Sequence, residues 1–219
     1  MNKENLIADV TCPQCNHVQK HEFIKVINVS QNPQLKLGVL TDSLFTMKCE
    51  ECGNEIFLNN ELLYTDEDAD LTILVAPEIE TMDVSKQKLE SNTSTNRIVQ
   101  TVVDLKEKVV MFDTGLDDRA VELVKMYVEN TSHNQFHGLR FLKLSENGDL
   151  IFALPDMGEE YDGKVMNFEY KYYLQLLTLC GGEAEDDAYY LIDPNWAYTL
   201  LKKVSEENSK KEEEAPSEK

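Results

Sequence analysis

Two short cysteine pairs constrain this chain more than any other feature of its sequence. The first pair spans residues 12–15 (Cys-Pro-Gln-Cys) and the second spans residues 49–52 (Cys-Glu-Glu-Cys). Two residues between cysteines let the backbone turn so that both sulfurs reach one zinc ion at about 2.3 Å, and two such turns complete a tetrahedron. The spacing therefore predicts a structural zinc site. Its predicted ligands are Cys12, Cys15, Cys49 and Cys52.

The residues after the two pairs indicate that both turns are built alike. Asn16 follows the first pair and Gly53 follows the second, and these residue types tolerate a left-handed backbone best. Two disulfide bonds are the alternative, but cysteines in a tight turn form strained bridges, and thiols stay reduced inside cells. The fifth cysteine, Cys180, is predicted to be a buried or partly buried structural residue, since no histidine base is evident beside it.

The net charge of the chain limits the classes of partner that it can bind. The chain has 41 acidic and 21 basic residues, a formal net charge of −20. Nucleic acids and anionic lipids bind mainly to clustered Lys and Arg, so we expect neither as a partner and predict that the partner is another protein. No apolar run approaches the roughly 18 residues of a membrane span, and residues 1–7 lack the apolar core of a secretory signal. We therefore expect a cytoplasmic protein with no membrane segment.

Apolar periodicity around the cysteine pairs predicts a β-rich first module. Apolar and polar residues alternate before and after both pairs, as in strands that enter and leave a turn. This arrangement is typical of a zinc ribbon. The predicted strands are residues 7–10, 17–29, 43–48 and 55–58.

Further signals extend this module. Asn32-Pro33 is typical of a helix start, and the short helix is predicted to end at Gly38 or in the turn after it. The acidic residues 66–70 predict a hairpin loop between two apolar runs rather than a calcium site, because they lack the central glycine and the terminal glutamate of a calcium-binding loop. Residues 77–96 are predicted to form a linker that ends in helix caps.

The periodicity then becomes helical. Apolar residues from Ile98 to Phe112 recur at spacings of three and four, and Gly115 separates this helix from a second one over residues 117–128, which predicts an antiparallel helix pair. Asp117 and Asp118 suit the start of that second helix by capping and by favourable interaction with the helix dipole.

The last third of the chain mixes both periodicities. Asn147-Gly148 between apolar alternations predicts a hairpin over residues 139–154. Residues 164–179 fit either a strand or a buried helix. Asp193-Pro194 predicts the start of a helix that ends at Val204, and the charged residues after it predict a disordered tail.

Together these elements predict an α+β fold class. The predicted regions are a zinc-ribbon-like module with its linker (residues 1–90), a helical hairpin (residues 91–131), a C-terminal α+β module (residues 132–204) and a disordered charged tail (residues 205–219).

Two histidine pairs are weaker metal candidates. His17 and His21 lie near the first cysteine pair, but four thiolates leave no need for them. His133 and His137 would share a helix face, yet their segment reads as a loop without a carboxylate nearby, and a surface role is favoured. The chain contains no glycine-rich phosphate loop, nucleophile elbow or zinc-protease motif, so we predict no enzymatic activity.

Several segments resemble the CpXC domain family, which is named for two Cys-Pro-x-Cys motifs and occurs in bacteria and archaea. The resemblance covers roughly residues 8–129 and implies a zinc-ribbon-like protein, without implying a reaction. This chain departs from the family pattern at Glu50, in place of the second proline, and at Asn16, in place of a glycine. The matching segments are residues 12–15, residues 32–35 (Asn-Pro-Gln-Leu), Leu44-Phe45 and residues 115–119 (Gly-Leu-Asp-Asp-Arg).

Three functional hypotheses fit these features. A protein-interaction or scaffold protein with a structural zinc site explains the acidity and the absence of catalytic motifs. A transcription-related zinc ribbon that binds nucleic acid explains the cysteine pairs but conflicts with the acidic residues beside the second pair. A rubredoxin-like iron site or a redox pair of thiols uses the same spacing, and the colour of the purified protein separates iron from zinc.

Overall fold

The structure, a computed structural model, describes residues 5–79, 92–131, 138–154, 164–181 and 191–214. Within these ranges the chain has eleven strands and five α-helices, which confirms the α+β class. It divides into two compact units. Unit 1 contains Met1–Val109 and Ala184–Leu191, and unit 2 contains Val110–Glu183 and Ile192–Lys219. The domain limits expected from the sequence stay a prediction.

Unit 1 begins with two small antiparallel sheets, and each encloses one cysteine pair. Strand β1 (Leu6–Thr11) pairs with β2 (Val18–Phe23), and β4 (Thr46–Lys48) pairs with β5 (Glu55–Phe57). We call these two hairpins the ribbon. Their inward residues form a shared apolar cluster, so each cysteine turn is anchored by its own strands, as predicted. The cluster contains Cys12, Met47, Cys49, Ile56 and Leu58, with Val10 and Phe23 packed against it.

The second part of unit 1 is a four-stranded mixed sheet. Strands β3 (Val26–Asn28), β6 (Leu62–Asp66), β7 (Leu71–Val75) and β8 (Thr95–Val99) lie in that order. The hairpin of β6 and β7 is antiparallel, as predicted, whereas β3 is parallel to β6 and β8 is parallel to β7. Residues 17–29 were predicted as one strand, but they supply β2 to the ribbon and β3 to this sheet, because Phe23 packs against the ribbon cluster whereas Ile27 is buried in the mixed sheet outside that cluster.

The prediction of a helix from Ile98 was wrong at its start. Thr95–Val99 is strand β8, and Ile98 and Val99 are buried there. Helix α2 runs from Val102 to Asp113. It begins with a reciprocal cap, in which Asp104 N–H donates to Thr101 Oγ1 and Thr101 N–H donates to Asp104 Oδ2, both at 3.1 Å. Residues 80–91 of the predicted linker lie outside the described residues.

Helix α1 (Gln34–Leu40) follows Pro33, as predicted, and of the two predicted ends the turn after Gly38 is the correct one. Gly38 is buried inside the helix because Leu44 packs directly on it. A Cβ atom at this position would lie 2.6 Å from Leu44 Cγ. The chain turns only after Leu40, where Asp42 adopts a φ of 60°.

Unit 2 combines three helices with a three-stranded sheet. Helix α3 (Asp118–Thr131) is followed by strands β9 (Arg140–Leu144), β10 (Leu150–Ala153) and β11 (Val165–Phe168) in an antiparallel sheet with β10 in the centre. This confirms the predicted Asn147-Gly148 hairpin, where Gly148 has a φ of 85°. The antiparallel packing expected of the second helix against the first stays a prediction.

The ambiguous segment over residues 164–179 is a strand followed by a helix. Helix α4 (Tyr170–Leu177) follows β11 and continues as a 3-10 turn to Cys180, which is buried, as predicted. Helix α5 begins at Pro194, and Asp193 Oδ1 accepts a hydrogen bond from Trp196 N–H at 2.8 Å, so the predicted cap is confirmed.

Helix α5 is longer than predicted. It continues past Val204 to Glu214, so the residues predicted to form a disordered tail are helical as far as that position, and residues 215–219 lie outside the described part. In the sequence of this segment Glu and Lys recur four residues apart, a spacing that favours a helix. In the described part of the chain, no helix is both long enough and apolar enough to cross a lipid bilayer.

Candidate metal centre

The backbone of the first cysteine turn is closed by two hydrogen bonds. Cys12 N–H donates to His17 O at 2.8 Å, and Asn16 N–H donates to Cys12 O at 2.9 Å. The second turn repeats both bonds at the corresponding positions, although Glu50 replaces the proline of the first turn. The repeated bonds are Cys49 N–H to Asn54 O and Gly53 N–H to Cys49 O, both at 2.9 Å.

Both turns also need one residue in a left-handed conformation. Asn16 has a φ of 59° and Gly53 has a φ of 71°, which confirms that the two turns are built alike. A short polar side chain or no side chain is tolerated at such a φ, whereas most L-residues are strained. The local sequence after each pair therefore determines the shape of the turn.

The four sulfur atoms meet at one point of the ribbon. Each lies within 4.8 Å of the others. The Sγ atoms of Cys12 and Cys52 are 3.7 Å apart, and those of Cys15 and Cys49 are 3.6 Å apart. Four sulfurs at about 2.3 Å from a central zinc ion would be separated by about 3.8 Å in a regular tetrahedron. The cluster can therefore hold a metal ion with little rearrangement.

The two turns place their cysteines in matching environments. The first cysteine of each pair, Cys12 or Cys49, is buried, and the second, Cys15 or Cys52, is exposed. Burial acts to raise the pKa of Cys12, but hydrogen bonds from the backbone N–H groups of Cys15 and Gln14 lower it to about 7. The backbone N–H of Cys52 likewise lowers the pKa of Cys49.

The pKa values of the two exposed thiols, Cys15 and Cys52, are shifted in the opposite direction. The backbone N–H of His17 acts to lower the pKa of Cys15, but burial and the neighbouring sulfurs outweigh it and raise the pKa. The pKa of Cys52 is also raised: the N–H of Asn54 and the thiol of Cys15 act to lower it, but burial and the thiols of Cys49 and Cys12 outweigh them. Four sulfurs this close cannot all ionise without a cation between them, and a bound divalent ion would remove that repulsion.

Gln19 is a structural residue of the centre that the sequence did not indicate. It lies in β2, is buried, and reaches across the ribbon to the second turn. Its Nε2 donates to Lys48 O at 3.1 Å, and its Oε1 accepts from Glu50 N–H at 2.9 Å. One amide thus ties the two hairpins together beside the sulfurs. The sequence did contain one signal for this role: Gln19 is a polar residue at a position where the alternation of the strand places side chains inward.

The histidine candidates do not join the sulfur cluster. His17 contributes its carbonyl oxygen to the first turn, and His21 packs edge-on against Phe23 with ring centroids 5.1 Å apart. Among the described residues, the metal-ligand atoms that cluster belong to the four cysteines only. His133 and His137 lie outside the described residues.

The carboxylates singled out in the sequence have structural partners. Asp66 is buried and pairs with Lys36 at 2.8 Å, and Asp70 accepts a hydrogen bond from Ser94 N–H at 2.8 Å. These bonds fit the predicted hairpin turn better than a calcium loop. Asp117 caps α3 by accepting from Arg119 N–H at 2.9 Å and pairs with the guanidinium of the same residue at 2.7 Å.

The comparison with protein families agrees with this geometry. The family model described as CpXC protein matches residues 10–125, which is more than half of the chain. The chain belongs to the CpXC family. The matched region contains all four clustered cysteines and most of unit 1, and it ends inside α3. No curated protein and no solved structure matches the chain. The CpXC assignment therefore rests on the family match and the cysteine cluster.

Proposed function

We propose that the CpXC region binds one structural zinc ion through Cys12, Cys15, Cys49 and Cys52, and that the protein acts by binding another protein. The sulfur geometry is the observation that carries the metal assignment. Four thiolates fill the coordination sphere of tetrahedral zinc, so no position is left for the water molecule that catalytic zinc activates. The proposed role is therefore non-catalytic, and it belongs in the cytoplasm, where thiols stay reduced.

Metal analysis of the purified protein tests the first half of the proposal. We expect one equivalent of zinc in the wild-type protein and in Cys180→Ser, whose cysteine lies outside the cluster. Cys49→Ser should lose most of the metal. A red protein with one equivalent of iron would instead support the rubredoxin-like alternative. Stoichiometric retention of metal by Cys49→Ser would contradict the assignment of the ligands.

Charge supports a protein as the partner. The net charge is −20, and three glutamates of the second hairpin, Glu50, Glu51 and Glu55, are exposed beside the metal site. Phosphate backbones are repelled by such a surface, whereas a protein surface with Lys or Arg is attracted and its association is faster at low salt. These residues favour a basic protein partner over nucleic acid.

Unit 2 carries a surface with the composition of a protein interface. We call it the tyrosine surface, and it comprises Tyr127 and Tyr172, which are 53% and 42% exposed. The rings of Tyr127 and Tyr172 both pack against Phe168, with centroids 6.1 and 5.9 Å apart. Tyrosine is enriched where proteins bind each other.

The tyrosine surface also has a feature that suits a cationic partner. Lys171 Nζ lies 4.7 Å from the centroid of the Tyr172 ring, so this ring already receives an ammonium group from the chain itself. Cation–π contacts of this kind also form with Lys or Arg of a binding partner. The proposed occupant of the tyrosine surface is therefore a protein segment that carries Lys or Arg.

A comparison of variants tests the second half of the proposal. The wild-type protein and the double variant Tyr127→Ala/Tyr172→Ala would be used to capture proteins from the native host, with Tyr198→Ala on the exposed face of α5 as the control. A captured protein would then be purified and titrated calorimetrically. We expect salt-sensitive binding that the double variant weakens at least about tenfold, in line with hot-spot tyrosines. Salt-sensitive binding of DNA or RNA by gel shift would contradict the proposal.

A further inference from the structure

Unit 1 contains a groove between the ribbon and the mixed sheet. Its volume is about 490 Å³, within the usual range of about 300 to 1,000 Å³ for small-molecule sites. The start of β1 forms one wall, and the segments that begin β3 and β6 form the other. The lining residues are Asn5, Leu6, Lys25, Glu61, Leu62, Leu63 and Leu74.

The floor of the groove is apolar. Leu63 in β6 and Leu74 in β7 are directly opposite each other in the antiparallel register, so their side chains lie on the same face of the sheet. Leu6, at the start of β1, is half exposed and adds a third leucine to the wall. Leu74 is itself almost fully buried, so the apolar area open to a ligand comes mainly from Leu63 and Leu6. Water on that area is released when an apolar group covers it, which favours binding.

Two opposite charges border this apolar floor without pairing. Lys25 and Glu61 both line the groove, and in the described part of the chain neither side chain forms an ion pair or a hydrogen bond, with the other or with a third residue. Lys25 fixes its own position through the backbone, because its carbonyl oxygen accepts from Leu63 N–H at 2.9 Å. The side chains of Lys25 and Glu61 are thus available to a ligand that carries both signs of charge.

We propose that this groove binds an apolar α-amino acid, free or as a short peptide. The carboxylate of the ligand pairs with Lys25, its ammonium group pairs with Glu61, and its aliphatic side chain lies on Leu63 and Leu74. A purely anionic ligand would be repelled by Glu61 and by the net charge of −20, and a purely cationic ligand would be repelled by Lys25. A zwitterion with an apolar side chain matches both charges and the apolar floor.

Matched ligands test the proposal on the wild-type, metal-loaded protein. Chemical-shift titrations in the millimolar range would use L-leucine, 4-methylpentanoate, which lacks the ammonium group, 3-methylbutylamine, which lacks the carboxylate, and leucyl-leucine. We expect saturable shifts of the Leu63 and Leu74 methyl groups with leucine or the dipeptide, and binding at least about tenfold weaker for both single-charge analogues, since each loses a charge-assisted contact. Whichever of leucine and leucyl-leucine binds more tightly shows whether the ligand is the free amino acid or a short peptide. Equal binding of an analogue, or no saturation with either zwitterion, would overturn the proposal.

Substitutions of Lys25 and Glu61 test which of these residues binds which charged group of the ligand. Lys25→Met should weaken leucine binding about tenfold without weakening that of 3-methylbutylamine, whose ammonium group Lys25 repels. Glu61→Gln should likewise weaken leucine binding without weakening that of 4-methylpentanoate. Lys48→Met and Glu67→Gln, which lie outside the groove, are the matched controls and should bind like the wild type. Unchanged leucine affinity in both groove variants would refute the assignment. Neither result affects the zinc proposal, because no cysteine lines the groove.

Discussion

At the scale of single residues, the shape of the metal centre depends on two positions with a left-handed backbone. No atom lies within 4 Å of where a Cβ would stand at Gly53, so its glycine is required by conformation and not by space. Gly53→Ala should destabilise the metal-bound ribbon by about 1 to 2 kcal/mol, the cost of this conformation for an L-residue. Asn16→Gly, the matched change in the other turn, should be nearly neutral. Zinc competition with a chelator measures both variants, and equal affinity for Gly53→Ala and the wild type would contradict the argument.

Gly38 is required for the opposite reason. Its backbone conformation suits any L-residue, but neighbouring atoms leave no space for a Cβ. The Cβ of Gly38→Ala would overlap Leu44 Cγ at 2.6 Å. We expect a net loss of about 1 kcal/mol, because overpacking costs about 1 to 3 kcal/mol and the better helix propensity of alanine returns about 1 kcal/mol. Urea unfolding measures this loss. In a Leu44→Ala background the same change should cost nothing or stabilise, and an additive double-mutant cycle would contradict the proposed clash.

The ionisation of Asp70 leads to a prediction of how the stability of the fold depends on pH. The Ser94 hydroxyl and then the Ser94 N–H lower the pKa of Asp70, so the ionised carboxylate is favoured in the folded state. This contribution is fully present above the ordinary pKa of about 3.9 and is lost as the pH falls through the lowered value. Ser94→Ala should raise the pKa of Asp70 toward the ordinary value. Carboxyl-carbon NMR titration measures the shift, with Ser43→Ala as the control; an unchanged pKa in Ser94→Ala would show that the Ser94 hydroxyl does not cause the shift.

At the scale of elements, local signals predicted local structure. The cysteine turns, the Asn147-Gly148 hairpin and the Asp193-Pro194 helix start were all predicted correctly, since each is determined by hydrogen bonds within a few residues. Strand β8 was missed because its partner, β7, is separated from it by a long segment, and a parallel pair leaves no turn signal in the sequence. The apolar residues of β8 then appeared to continue the helical pattern of α2. Gln19 was missed for a similar reason, because its two partners lie on the other hairpin.

The correct start of α2 leads to a test of its cap. Thr101→Ala removes the hydroxyl that accepts from Asp104 N–H and should destabilise unit 1 by about 1 kcal/mol, the usual value of an N-cap. Thr114→Ala is the control at the other end of α2, where the hydroxyl donates back to the carbonyl oxygens of Val110 and Met111 and contributes little. Thermal unfolding of the two variants measures the difference. Equal stabilities would show that the cap is not important for the helix.

At the scale of the whole molecule, each unit has its own apolar core, so metal removal should affect them unequally. Trp196, the only tryptophan, packs against the core of unit 2 and reports on that unit by fluorescence. Chelation should increase hydrogen exchange across β1, β2, β4 and β5 while the emission of Trp196 stays unchanged. Loss of structural zinc removes about 10 to 16 kcal/mol of binding free energy in small zinc modules. A red shift of Trp196 on chelation would show that the metal supports both units.

The sulfur cluster has a consequence for how the chain reaches this fold. The two turns are the ends of one loop, residues 16–48, which contains β2, β3, α1 and β4. An ion that binds both ends acts as a removable crosslink, and it lowers the entropy that must be lost before β3 meets β6, a parallel pair of only three residues. Under the zinc proposal, the supply of metal during synthesis therefore controls how fast newly made chains align this edge of the sheet.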